Sequence, residues 1–278
     1  MFAVVVLSLL AGCRAMFGLD APALATDAAD ASPADAASID AAAYRASAVR
    51  FAGKTYLSYG ALAGVVDSPR GTLSVWLRFT GTDNRQQLIT AAELGVGSFG
   101  GIGGIARQAS NHFEIALLSC AGATRVDMTS THTYTVASGW IHVLASWDVE
   151  RGRAQLYIND VDDRAAMATI NNGQICYSAP AWGVGGVNAA TLDADVADVF
   201  LTLDTSLDLD SPTNRRLFIS QTGKPVDLGL RCSTPLSGVV PTLCFTGAPA
   251  TWATNKGTGA GFSVEGEPLA AAPDGPSG

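Results

Sequence analysis

From residue 47 onward the chain is written in short apolar runs cut by turn residues. Thr72 to Thr80 (TLSVWLRFT) alternates: Leu73, Val75, Leu77 and Phe79 point one way, Thr72, Ser74, Trp76 and Arg78 the other. That period of two predicts a strand with one buried face. QLITAA (87–92), FEIALL (113–118), RVDMT (125–129), IHVLASWD (141–148), AQLYI (154–158) and DVADVFLTL (195–203) repeat the theme, with GTDN, VERGR and INDVDD between them. Many short strands predict an all-β fold, a two-sheet antiparallel sandwich. One short helix is predicted near 212–220, because Ser211-Pro212 offers a cap and a first-turn proline and Gly223 a stop.

The first 46 residues follow a different pattern. Phe2 to Leu10 is an apolar run too short to span a bilayer but of the length of a signal-peptide core. The n-region before it carries no Lys or Arg. Leu10-Ala11-Gly12-Cys13 directly after it resembles the bacterial lipobox. The resemblance implies a signal peptide at 1–12 and lipid on Cys13, and Arg14 after the cysteine implies outer-membrane sorting. Residues 13–46 are nearly all Ala, Asp, Ser and Pro, with too little apolar surface to repay the entropy of ordering. They are expected to be a flexible tether between the membrane and a domain over 47–265, with 266–278 a flexible tail.

Composition supports this division. The chain has 278 residues, 48% hydrophobic and 15% charged, which is enough apolar material for one large β domain. Net charge is −8, and five of the acids lie in residues 1–46 against two bases. No basic stripe exists, so nucleic acid is excluded as a partner. With Cys13 lipidated, four cysteines remain, an even number suited to an oxidising compartment. Cys232 and Cys244 flank a turn and are expected to pair locally, leaving Cys120 with Cys176; buried free thiols are the alternative. No CxxC spacing points to zinc.

Gly139-Trp140-Ile141-His142-Val143, then Ala145-Ser146-Trp147-Asp148 and Ala154-Gln155-Leu156-Tyr157-Ile158-Asn159-Asp160, resemble the central hairpin of concanavalin A-like jelly rolls of the laminin-G and pentraxin kind. Val49-Arg50-Phe51 and Asp195 to Phe200 resemble the opening and late strands of that fold. Asn214 to Ile219, Gly223 to Gly229 and Thr254 to Gly259 resemble a subfamily common in phage and prophage structural proteins. The resemblance implies a non-catalytic surface module that binds a glycan or a protein partner. A phage-type tail or fibre component and a glycoside hydrolase are the alternatives.

Candidate chemistry is sparse. Asp193, Asp195 and Asp198 echo the catalytic strand of laminarinase-like glycosidases. A retaining pair must sit about 5–5.5 Å apart, and the short Asp side chain widens that gap. Gly95 to Gly100 fits GxGxxG without the strand-helix setting the motif needs. His112 and His132 lack metal-ligand spacing, and His142 is expected to be a packed structural residue. No motif requires a cofactor. Asp160, Asp162 and Asp163 form an acidic corner suited to calcium, with a solvated hairpin turn as the plainer reading. Tyr177 and Trp182 are the candidate ligand-stacking aromatics, and Trp252 shares their loop-rich setting.

Overall fold

The computed structural model describes residues 44–81, 85–92, 101–187 and 191–276. In chain order the strands are β1 (Ala48–Ala52), β2 (Thr55–Tyr59), β3 (Arg70–Phe79), β4 (Gln86–Ala92), β5 (Gly101–Arg107), β6 (His112–Leu118), β7 (Thr124–Thr133) and β8 (Ile141–Asp148). They continue as β9 (Arg153–Ile158), β10 (Val161–Asp162), β11 (Thr169–Ile170), β12 (Ala181–Val184), β13 (Asp193–Thr202), β14 (Leu243–Phe245), β15 (Ser263–Gly266) and β16 (Ala270–Ala271). Sheet A runs β10-β9-β8-β3-β13-β1-β16, with β14 also on β13. Sheet B runs β11-β7-β6-β5-β4-β12-β2-β15. Neighbouring strands pair antiparallel, so the domain is a two-sheet jelly-roll sandwich of the concanavalin A-like kind.

Alternation builds the core. Leu73, Val75, Leu77 and Phe79 of β3 and Val143, Ala145 and Trp147 of β8 face Ile89, Ile105, Phe113, Ile115, Val126 and Met128 of sheet B, all buried. Trp147 donates its indole N–H to Tyr177 Oη at 2.6 Å. Gly71 is needed beside it, since a Cβ there would lie 2.5 Å from the Trp147 ring.

The second face of β3 is buried as well, where a half-exposed strand was expected. The polar residues on that face bond to one another: Thr72 with Ser146 at 3.2 Å, and Ser74 with His142 Nε2 at 2.8 Å. The chain after β13 then folds back over them. Leu209, Phe218, Leu228, Cys232 and Cys244 pack on Leu144, Tyr157 and Phe200, while Ile219 joins Trp76 and Ala197. Periodicity alone reports which side chains are polar, and it cannot reveal that a later segment covers them.

Three boundaries differ from the sequence reading. The helix expected over 212–220 is a single turn, α1 (Pro212–Arg215), and Ser211 makes no side-chain cap. The chain turns at Arg216 so that Phe218 and Ile219 can reach the sheet. A second turn, α2 (Pro249–Trp252), buries Trp252 against Phe51 and Phe245. The expected tail at 266–278 instead supplies β16, which pairs with β1, and Asp274 bonds Arg78. The end of the expected tether is also structured, for Ala46 is buried and Tyr44 packs beside it. The disulfides are Cys120–Cys176 and Cys232–Cys244. Cys13, the rest of the signal and tether, and the Gly95 to Gly100 run lie outside the described residues.

Candidate functional site

The chain after β13 covers the outer side of sheet A; on sheet B every residue of β4 is buried too, and the outward side chains that reach solvent lie on β6 and β7. The register fixes which residues share it. Thr90 pairs with Gly104, Gly104 with Ala116, and Ala116 with Asp127. The adjacent row runs Gln87, Ala106, Glu114, Thr129. On β6, Phe113, Ile115 and Leu117 are buried in the core, while Glu114, Ala116 and Leu118 are half-buried on the outer side. On β7, Val126 and Met128 point inward and Asp127 is exposed. On this side Thr90, Gln87 and Ala106 are buried, while Glu114 and Ala116 are half-buried and Asp127 is exposed, so the accessible part is the stretch over β6 and β7 with its two carboxylates.

The carboxylates differ in their surroundings. Glu114 accepts from Arg85 Nη2 and from Gln108 Nε2, each at 2.8 Å. These bonds hold it extended along the face. Although the residue as a whole is exposed, partial desolvation of its carboxyl against the sheet, and then the neighbouring charge of Glu114, raise Asp127 above its ordinary value. Arg85 just before β4 and Gln108 just after β5 thus join Glu114 and Asp127 in a group of donors and acceptors able to hydrogen-bond a polar ligand.

The sequence reading did not single out Arg85, Gln108, Glu114 or Asp127. A signal existed, since Glu114 and Asp127 are the charged outward positions of the FEIALL and RVDMT runs. The aromatics it did choose are not on the surface. Tyr177 is 2% and Trp182 4% exposed, and both line a cavity between the sheets with Trp147, Ile105 and Leu203. Tyr177 also donates to the Arg70 carbonyl at 2.9 Å, and Trp252 is fully buried. Large rings in loop-rich stretches went to the core because loops fold back over the sheets here.

The acidic corner is likewise dispersed. Asp160 accepts from Arg215 Nε and Arg216 Nη2 at 2.6 Å each; against the burial that would raise it, the two guanidiniums hold its carboxyl below the ordinary range. Asp163 is buried and accepts from His132 Nδ1 at 2.5 Å and Tyr134 Oη at 2.6 Å. Asp162 is exposed and caps the Arg164 backbone N–H. The three do not converge on one point. Among the described residues the one group with metal-ligand spacing is Asp67 with Cys120 and Cys176, whose sulfurs are joined in a disulfide and offer no thiolate.

The glycosidase-like carboxylates also fail to assemble. Asp195 is fully buried between Arg50 and Arg78, at 2.7 Å from each. Asp193 accepts from Thr80 Oγ1 at 3.0 Å. Asp198 is buried under Tyr44 and Thr246. Each carboxylate serves the fold. His142 is fully buried against Trp76, as a packed structural residue should be.

Neither a protein-family model nor a curated protein matches the sequence. Solved structures do match. A Bacteroides ovatus ATCC 8483 protein named for carbohydrate binding aligns at TM-score 0.56 with 11% identity, over 84% of this chain and 62% of its own length. The likeness is one of fold. A heptameric SAP-like pentraxin from Limulus polyphemus aligns at TM-score 0.43 with 16% identity, over 59% of this chain and 79% of its own. Domains LG4-5 of the mouse laminin α1 chain align at 0.41 with 17% identity, over 59% and 43%. The chain thus spans under two thirds of the Bacteroides protein.

Proposed function

We propose that this chain is an exported, non-catalytic recognition domain, tethered at a bacterial surface through lipid on Cys13, which binds a glycan on the outer side of sheet B. The observation that carries the reading is the pair of outward carboxylates on β6 and β7: the chain's own segment covers the outer side of sheet A and β4 is buried, whereas Glu114 is half-buried and Asp127 exposed. Two disulfides fit an oxidising compartment. No helix among the described residues is long and apolar enough to cross a membrane. The fold likeness to the Bacteroides protein supports a binding role, and so does the placement of Asp193, Asp195 and Asp198, whose carboxylates bond to groups of the fold itself.

The test is a glycan-array screen of the whole chain beside Asp127→Ala and Glu114→Gln. Loss of a polar contact to a ligand costs about 1–3 kcal/mol, so each variant should bind at least about fivefold more weakly while keeping its thermal midpoint. Binding should survive EDTA. Glycan binding that both variants retain at full strength, or no binding to any glycan, would overturn the reading.

A further inference from the structure

Asp198 occupies the point where β13 changes partners. Residues 193–197 of β13 pair with β1, and residues 199–201 pair with β14. The register against β3 slips at the same place, between Ala197 and Phe200. Asp198 itself has φ +46°, a left-handed conformation that non-glycine residues adopt only when their surroundings impose it. The bulge turns its side chain under the lead-in to β1, where Tyr44 lies.

The carboxyl there is half satisfied. Oδ1 accepts from Thr246 Oγ1 at 2.6 Å and from Tyr44 Oη at 3.1 Å. Oδ2 is buried and has no hydrogen-bond partner among the described residues. The titratable groups around it are Tyr44 on the lead-in, Asp227 in the loop before Leu228, and Lys256 after α2, whose ammonium is spent on the Thr246 carbonyl. Among the described residues no guanidinium faces it, in contrast to Asp195. A protonated carboxyl fits this site, with the proton on Oδ2 and Oδ1 still free to accept both hydroxyls. An ionised one leaves a charged oxygen facing protein, a state that water would relieve.

We infer that Asp198 is a proton-operated clasp on the lead-in: the neutral acid keeps Tyr44 docked, and ionisation favours a state in which the segment 44–47 lifts and water reaches Oδ2. Burial, offset in part by the two hydroxyls, sets the carboxyl at about 6, so the clasp works across mildly acidic to neutral pH. The device would make the junction between tether and domain stiff in acid and loose at neutral pH.

Arg45 is exposed and Ala46 is buried, so trypsin can cut between them only when the lead-in opens. Cleavage of the full chain at this bond would be measured at pH 5 and pH 7.5, each divided by the rate for a free peptide of the same sequence. The corrected rate should rise about tenfold over that interval, the limit for one carboxyl moving between about 6 when docked and its ordinary value when exposed. In Asp198→Asn the rise should vanish. Tyr44→Phe, which keeps the ring and removes the donor, should be cut faster than wild type at both pH values. A wild-type rate that is flat with pH, a rise that persists in Asp198→Asn, or a Tyr44→Phe chain cut like wild type would overturn the inference.

Discussion

His142 and Asp198 are buried groups whose burial moves them in opposite directions over one pH range. Burial lowers His142 to about 3, so the unfolded chain takes up a proton below about 6.5 that the folded chain refuses. Its contribution to stability is present above that pH and is lost as pH falls. Burial raises Asp198 to about 6 from 3.8, so the folded chain holds a proton that the unfolded chain releases. Its contribution is present below 3.8 and is lost as pH rises through 6. Between pH 6 and 4 the two slopes, each about 1.4 kcal/mol per pH unit, nearly cancel. Urea denaturation should therefore show Asp198→Asn losing stability relative to wild type as pH drops from 6 to 4. His142→Gln should gain relative to wild type over the same interval. Parallel curves for wild type and both variants would refute this account. Neither residue's role was legible in the sequence beyond His142 as a packed residue, because the cover over each is assembled from distant segments.

At the scale of elements, the strands were readable and their surroundings were not. FEIALL became β6 (His112–Leu118) and AQLYI became β9 (Arg153–Ile158), within a residue or two, because side-chain polarity alone sets a period of two. The two-residue strand Ala270–Ala271 has no such pattern, and only β1 beside it makes it a strand. The disulfides allow a prediction at this scale. Cys120–Cys176 spans 56 residues of sequence and Cys232–Cys244 spans 12. Loop-closure entropy assigns them about 4 and about 3 kcal/mol respectively. Replacing the Cys120 pair by alanine should thus lower the urea midpoint more than replacing the Cys232 pair. The reverse order would show that local strain or packing outweighs chain entropy.

For the molecule as a whole, the sandwich class was legible and the candidate site was not. Tyr177 and Trp182 stand out in the sequence by ring type but lie in the core, whereas the accessible positions on β6 and β7 depend on which strands the rest of the chain leaves uncovered. A chain ending at Glu267 should lose several degrees of thermal stability, since it forfeits β16 and the Arg78–Asp274 bond; a free tail would leave the midpoint unchanged. The same arrangement has a mechanical meaning. β1 follows directly on the lead-in 44–47 and is held on one side by β13 over five residue pairs and on the other by β16 over two. A pull along β1 loads both ladders in shear, so their bonds must fail together and not one after another. A domain held by this strand would resist force best when the pull runs along β1, and would peel open when the pull runs across it.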